Sequence, residues 1–140
     1  MKDLDLFSGT VCFVDTNIWL YSFIKSEKTD IAKNIIGLCD IVISVQVINE
    51  ICVNLIKKAG FSEKSIFSLI ESLYKRYSVS ELSREILLQA SSIRERYKFS
   101  FWDSIIAASA LDSEADFLIS EDMQNGFNFE NKLRIINPFQ

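Results

Sequence analysis

Residues 11–20 read VCFVDTNIWL, an apolar run followed by three polar residues and a second apolar run. The first four residues are typical of a buried strand, and the run from Ile18 onward is typical of a helix. Asp15, Thr16 and Asn17 lie between them, and each can accept hydrogen bonds from the unpaired amides of a helix's first turn. The stretch predicts a strand that passes directly into a helix. It leaves open whether Asp15 only caps that helix or also belongs to a site.

Short apolar runs rich in β-branched residues recur along the chain. They are IVISV (41–45), FLIS (117–120) and LRII (133–136), with a weaker candidate at YSVS (77–80). Between them, apolar residues recur at helical spacing. The clearest sets are Ile86, Ala90, Ile93 and Tyr97, and then Trp102, Ile105 and Ile106, which we expect to point inward. Strands that alternate with helices predict an α/β fold with a mainly parallel, twisted sheet of four to five strands, covered on both sides.

The composition is that of a globular protein with one domain, which we expect to span residues 1–140. Hydrophobic residues make up 49% of the chain and charged residues 24%, and there is one Pro. No stretch has the length and hydropathy of a membrane span or a signal peptide, so we expect a cytoplasmic protein with no membrane partner. Cys12, Cys39 and Cys52 form no CxxC pair and lie in apolar patterns, which predicts buried free thiols.

Two absences narrow the chemistry that the chain can perform. There is no histidine, which excludes His-based triads and His-ligated zinc. The four glycines are too scattered to form a phosphate-binding loop. A net charge of −4 is unusual for a protein that binds nucleic acid, although a cluster of active-site acids would itself produce such a charge. An enzyme of this composition depends on carboxylates, hydroxyls, amides or a metal.

Two acids follow predicted strands. Asp15 ends the first strand, and Asp122 follows the later strand in DFLISEDMQNG. The carboxyl ends of parallel strands meet at one edge of a sheet, where ligands bind in open α/β folds, so we expect these two acids to lie close together. For the segment from Ser120 to Gly126, a simple polar turn is the alternative.

Two further acids lie in predicted helices. Glu50 shares a polar helix face with Gln46, Asn49 and Asn54, and such a face is usually solvated unless it borders a crevice. Asp103 lies just inside the helix that Ser100 begins, where an acid also gains from the helix dipole.

Four acids crowded into one crevice would repel each other unless a cation neutralised them. Magnesium and manganese prefer oxygen ligands and suit such a site. The matching reaction is phosphodiester hydrolysis, in which a divalent cation stabilises charge on the transferring phosphate.

The same residues resemble the PIN-domain ribonucleases, and within them the VapC-type toxins of toxin–antitoxin pairs. VDTNIWLY is similar to the family's first motif with Asp15, SVQVINEIC to its second with Glu50, and FWDSIIAASA to its third with Asp103. FLISEDMQNGF and the terminal INPF resemble the fourth motif, with Asp122. Here the usual Thr-x-Asp is Ser120-Glu121-Asp122. The hydroxyl is kept and Glu121 adds a second acid, although the spacing favours Asp122.

The resemblance implies a three-layer α/β/α domain that cleaves RNA with Mg²⁺ or Mn²⁺. It implies that Asp15, Glu50, Asp103 and Asp122 are the metal-binding and catalytic acids. Asn17 and Ser120 would be supporting groups that orient Asp15 or a bound water. It further implies a homodimer that is neutralised by a cognate antitoxin protein.

Two other functions fit parts of the pattern. A non-catalytic RNA-binding module could keep this fold without turnover, although none of the acids is missing. An aspartate-nucleophile phosphatase also has an Asp after its first strand, but it normally has a second Asp two residues later, where this chain has Asn17.

Overall fold

The runs predicted as strands lie in one six-stranded sheet of the computed structural model, which describes residues 4–140. The strands are β1 (Val11–Val14), β2 (Asp40–Ser44), β3 (Ser78–Ser80), β4 (Phe117–Ile119), β5 (Asn128–Phe129) and β6 (Leu133–Ile136). Their order is β3-β2-β1-β4-β6-β5, and every pair is parallel except β5 with β6. The prediction of an α/β fold with a mainly parallel sheet between helices is confirmed. Residues 1–3 of the predicted domain lie outside the described residues.

Strand β1 lies in the middle of the sheet, between β2 and β4. Cys12, Phe13 and Val14 are completely buried, as expected for a parallel strand with both faces covered. The chain runs from β1 toward β2 and β3 on one side, whereas β4 leads to β6 on the other side. Ligand crevices form where connections diverge in this way, outside the carboxyl ends of the strands. Asp15 and Ser120, which follow β1 and β4, lie at this crevice.

Within residues 4–140, six α-helices connect and cover the strands, and a short 3-10 helix (Leu4–Phe7) precedes β1. They are α1 (Thr16–Phe23), α2 (Thr29–Leu38), α3 (Val45–Ala59), α4 (Glu63–Arg76), α5 (Arg84–Tyr97) and α6 (Phe101–Asp112). Five of them begin at a side chain that accepts a hydrogen bond from an amide of the first turn, and these caps are Asp15, Ser44, Ser62, Ser83 and Ser100. Helix α3 ends at Gly60, whose φ of 67° is the left-handed conformation that glycine adopts without strain.

The sheet has six strands, so the predicted number of four to five is wrong. The additional strand is β5, which has two residues and pairs antiparallel with β6. A strand of two residues is too short to show an alternating pattern. The ends of two predicted strands also shift by one residue. Strand β2 ends at Ser44, because Ser44 caps α3 and Val45 is the first residue of that helix. Strand β4 ends at Ile119, and Ser120 lies beyond its last paired residue.

The described part of the chain contains no helix with the length and hydropathy that crossing a membrane requires.

All three cysteines are free. Cys12 and Cys52 are buried as predicted, whereas Cys39 at the end of α2 is only half-buried.

We expect Phe13→Ala to lower the free energy of unfolding by about 3–5 kcal/mol, because it empties a completely buried position in the central strand. Urea denaturation followed by circular dichroism measures the change. Val53→Ala is the control. Val53 is 50% exposed on α3, and we expect its truncation to change stability by less than about 0.5 kcal/mol. Equal losses in the two variants would contradict the placement of β1 at the centre of the core.

Candidate active site

Asp15 is both a helix cap and part of the crevice. Its Oδ1 accepts a hydrogen bond from the backbone N–H of Thr16 at 2.8 Å, which begins α1. Its Oδ2 accepts one from the hydroxyl of Ser120 at 2.9 Å. Ser120 is completely buried at the end of β4, so this bond joins the ends of the two central strands. Asp15 therefore caps α1 and also belongs to the crevice, so the two roles that the sequence left open are compatible.

Glu50 is connected to the same edge through Thr16. The buried Thr16 hydroxyl donates to Glu50 Oε2 at 2.8 Å, and Gln46 Nε2 donates to Glu50 Oε1 at 3.3 Å. Helix α3 packs against α1, and this turns its polar face toward the crevice. The apolar residues on the rest of that helix are buried, namely Val47, Ile48, Ile51, Cys52 and Leu55. The link through Thr16 was not predicted, because Thr next to a cap gives no separate signal in the sequence.

Asp103 is half-buried in the first turn of α6, and its backbone N–H donates to the Ser100 side chain at 3.2 Å. The expectation that Trp102 points inward is wrong, because Trp102 is 62% exposed. Ile105 and Ile106 are buried as predicted, within an entirely buried segment that spans residues 104–110. The spacing of apolar residues did not show that the first turn of α6, which includes Trp102, is exposed while the turns that follow are buried.

The two neighbouring acids after β4 have different partners. Asn17 Nδ2 donates to Asp122 Oδ2, so Asn17 contacts Asp122 and not Asp15. Glu121 faces away from that contact. It forms an ion pair with Lys28 and accepts a hydrogen bond from the Tyr21 hydroxyl. Of the two acids, Asp122 is the one that contacts the Asp15-Thr16-Asn17 segment.

A group of residues that the sequence did not reveal holds this loop in place. Lys28 lies 5.1 Å from the ring centroids of both Tyr21 and Phe139, while the side chain of Asn137 donates to the backbone carbonyl of Glu121. Phe139 packs edge-on against Tyr21. The terminal INPF motif was the only signal for this arrangement, and it indicated neither Lys28 nor Tyr21.

The acids influence each other's ionisation. Burial, together with the negative charges of Glu50 and Asp103, raises the pKa of Asp15 to about 6, although the hydrogen bonds from Thr16 and Ser120 partly oppose the increase. Burial also raises the pKa of Asp103, and Asp122 and Glu50 contribute in the same direction. The structure thus gathers the four predicted acids around one negatively charged crevice.

The chemistry of this crevice fits a divalent cation. All four candidate ligands are carboxylates, the oxygen donors that magnesium and manganese prefer. Neither of the two ion pairs formed within the described chain involves any of these four acids. Within residues 4–140, no group of three or more Asp, Glu or Cys side chains is already arranged to hold a metal ion. The acids are therefore gathered at the crevice but not closed around a single point.

The raised pKa of Asp15 predicts how stability depends on pH in metal-free buffer. A carboxyl whose pKa rises from 3.8 to about 6 on folding adds stability that is complete below pH 3.8 and is lost as the pH rises through 6. Asp15→Asn carries no charge, and its side-chain oxygen can still cap α1. We expect the free energy of unfolding of this variant, relative to the wild type, to increase by about 1–3 kcal/mol between pH 4 and pH 7.

Urea denaturation at several pH values in EDTA measures this difference. A difference that does not change with pH would show that burial and neighbouring acids do not destabilise the ionised Asp15.

Solved structures share this fold. A chain in a toxin–antitoxin complex from Klebsiella pneumoniae is 20% identical, with a TM-score of 0.71 over 91% of this chain and 97% of that chain. VapC20 from Mycobacterium tuberculosis, described as a sarcin–ricin loop cleaving toxin, is 18% identical, with a TM-score of 0.64 over 76% and 86%. FitAcB from Neisseria gonorrhoeae is 17% identical, with a TM-score of 0.67 over 91% and 98%. At these identities the similarity shows the fold alone.

No curated protein matches the chain by sequence. The family model described as PIN domain matches residues 12–127, a segment that includes Asp15, Glu50, Asp103 and Asp122. This match covers most of the chain and agrees with the sheet order and with the acids at the carboxyl ends of the strands. The chain belongs to the PIN domain family.

Proposed function

We propose that this protein is a Mg²⁺- or Mn²⁺-dependent endoribonuclease and that Asp15, Glu50, Asp103 and Asp122 are its metal-binding and catalytic acids. One observation carries the proposal: four carboxylates from distant parts of the chain meet at the switch point of a parallel sheet. There burial, with a smaller contribution from the neighbouring acids, raises the pKa of Asp15 and Asp103, and the four carboxylates form no ion pair with a basic residue within residues 4–140. Such an arrangement is costly for stability and is useful if a cation binds there.

The polar residues around the acids have positioning roles in this proposal. Ser120 and the amide of Thr16 hold both oxygens of Asp15, the Thr16 hydroxyl orients Glu50, and Asn17 orients Asp122. When bound, a divalent cation supplies positive charge that stabilises the transferring phosphate. The acids keep that cation at the sheet edge, and the supporting groups limit how far each carboxylate can move.

We also propose that the protein is the toxin of a toxin–antitoxin pair, a cytoplasmic homodimer that a cognate antitoxin protein neutralises. The support is the shared fold with chains from toxin–antitoxin complexes and with a toxin that cleaves the sarcin–ricin loop. Neither the phosphatase nor the non-catalytic module is favoured by a contact in the site. Asn17, at the position where a phosphatase normally has its second Asp, is engaged with Asp122.

We expect Asp15→Asn and Asp103→Asn each to lower metal-dependent RNA cleavage by about a hundredfold or more, because several kcal/mol of charge stabilisation depend on the bound cation. Cleavage of a fluorescently labelled RNA in Mn²⁺ measures the rate. Asp112→Asn is the matched control for Asp103→Asn, because Asp112 is an exposed acid at the opposite end of α6.

The control variant should cleave at the rate of the wild type. Cleavage by Asp15→Asn that still requires the metal, in preparations free of host nuclease, would count decisively against the proposed site.

Asp122 and Glu121 provide a second matched pair. We expect Asp122→Asn to lose most of the activity. The Glu121→Gln side chain can still accept from Lys28 through its oxygen and donate to the Tyr21 hydroxyl through its nitrogen. It loses a part-exposed ion pair, worth about 0–1 kcal/mol, so it should remain within about fivefold of the wild-type rate. The same cleavage assay compares them. The opposite ranking would place the metal-binding role on Glu121.

A further inference from the structure

Two aromatic side chains are unusually exposed beside the candidate active site. Phe101 is 54% exposed and Trp102 is 62% exposed, and both precede Asp103 in the first turn of α6. Their rings contact each other edge-on with centroids 5.3 Å apart. By contrast, Tyr97 and Phe99, earlier in the same segment, pack together with other rings. The indole of Trp102 is therefore exposed to solvent, and Trp102 directly precedes Asp103 of the site.

Trp102 forms part of a cavity of about 510 Å³ that continues directly from the crevice. Leu82 lies on the apolar part of its wall with Trp102, and Gln46, Asn49 and Glu50 contribute polar groups. Glu50 is shared between the cavity and the four acids. A molecule in this cavity would thus lie beside anything held by Glu50.

The lining of the cavity determines what chemistry it can accept. Its charged residues are Glu50 and Glu81, so a phosphate group would be repelled, whereas a neutral, flat, apolar group with a polar edge fits. The Gln46 amide is only partly satisfied. Its nitrogen donates to Glu50, whereas Oε1 is the one buried side-chain nitrogen or oxygen in the described region without a hydrogen-bond partner, and it is closed off from the cavity. The side-chain amide of Asn49, which is exposed and lines the same wall, can both donate to and accept from the edge of a nucleobase.

We propose that this cavity binds an unpaired nucleobase of the RNA, stacked on the indole of Trp102, next to the phosphodiester that is cleaved. The inference rests on the proposed function, because it assigns the cavity to the same substrate. Proteins recognise single-stranded RNA by stacking unpaired bases on aromatic side chains, and a base presents both a flat face and hydrogen-bonding edges. The phosphates remain outside the acidic cavity, near the half-buried guanidinium of Arg94, which lies 4.3 Å from the centroid of the Phe101 ring.

The two tryptophans allow a direct test by fluorescence. Trp19 is only 2% exposed and its indole N–H donates to the carbonyl of Val14, so a ligand in solution reaches Trp102 and not Trp19. The experiment uses Asp15→Asn protein, so that RNA is not consumed, and titrates it with a short single-stranded RNA and with the same RNA annealed to its complement. We expect single-stranded RNA to quench the emission in a saturable way and duplex RNA to quench it much less.

Variants in the same background separate stacking from general RNA binding. Binding of labelled RNA, followed by fluorescence anisotropy, should weaken about tenfold or more in Trp102→Ala and should change little in Trp102→Phe, which keeps a ring for stacking. Phe67→Ala is the matched control, because Phe67 is a 66% exposed ring on α4 that does not line the cavity. It should bind RNA as tightly as the parent protein.

Three outcomes would overturn the inference: absence of RNA binding, equal RNA affinity in Trp102→Ala and the parent protein, or loss of dimer in Trp102→Ala by analytical ultracentrifugation. The last outcome would show that the ring contacts a second copy of the chain. Cleavage by the wild-type chain is measured separately. Stacking without metal-dependent cleavage would overturn the proposed function and leave base binding in this cavity standing. Metal-dependent cleavage together with any of the three outcomes above would leave the proposed function standing and overturn the base pocket.

Discussion

Asp15 is held by two hydrogen bonds at the end of the central strand, and the arrangement of the whole crevice depends on this anchoring. One carboxylate oxygen of Asp15 accepts the hydrogen bond that caps α1, and the other accepts a hydrogen bond from Ser120. The carboxylate therefore cannot turn away from its acidic neighbours. The next two residues extend the same arrangement, because Thr16 reaches Glu50 and Asn17 reaches Asp122. The three polar residues that interrupt the apolar sequence therefore connect strand β1 to three separate parts of the site.

This anchoring has a cost in stability. Burial raises the pKa of Asp15 and Asp103, which means that the folded chain holds these acids in an environment that disfavours their charged form. Lys28, which contacts the fourth motif, is paired with Glu121 and so does not relieve the repulsion. Strained and destabilised groups of this kind are commonly kept because a function needs them. In our proposal, that function is binding of a divalent cation and cleavage of RNA.

Much of the fold followed from local patterns in the sequence. Strands β1 and β6 begin and end where predicted, because their apolar runs are bounded by polar residues, and Ser100 caps α6 as predicted. The sequence also indicated the acids at the sheet edge, because the ends of parallel strands must meet there. It could not show the exposure of Trp102, since that depends on how far α6 extends beyond its neighbours. The separation of Glu121 from Asp122 depends on Lys28 and Tyr21, which are distant in sequence.

The family match and the shared fold agree with the proposed function. Its main requirement is that the four acids together form one binding site for a divalent cation. A crystal structure of the protein with Mn²⁺, with anomalous scattering data, tests it most directly. We expect an anomalous peak coordinated by oxygens of Asp15 and of at least two of Glu50, Asp103 and Asp122. A well-ordered crevice without such a peak at a saturating Mn²⁺ concentration, or manganese bound only by other residues, would contradict it.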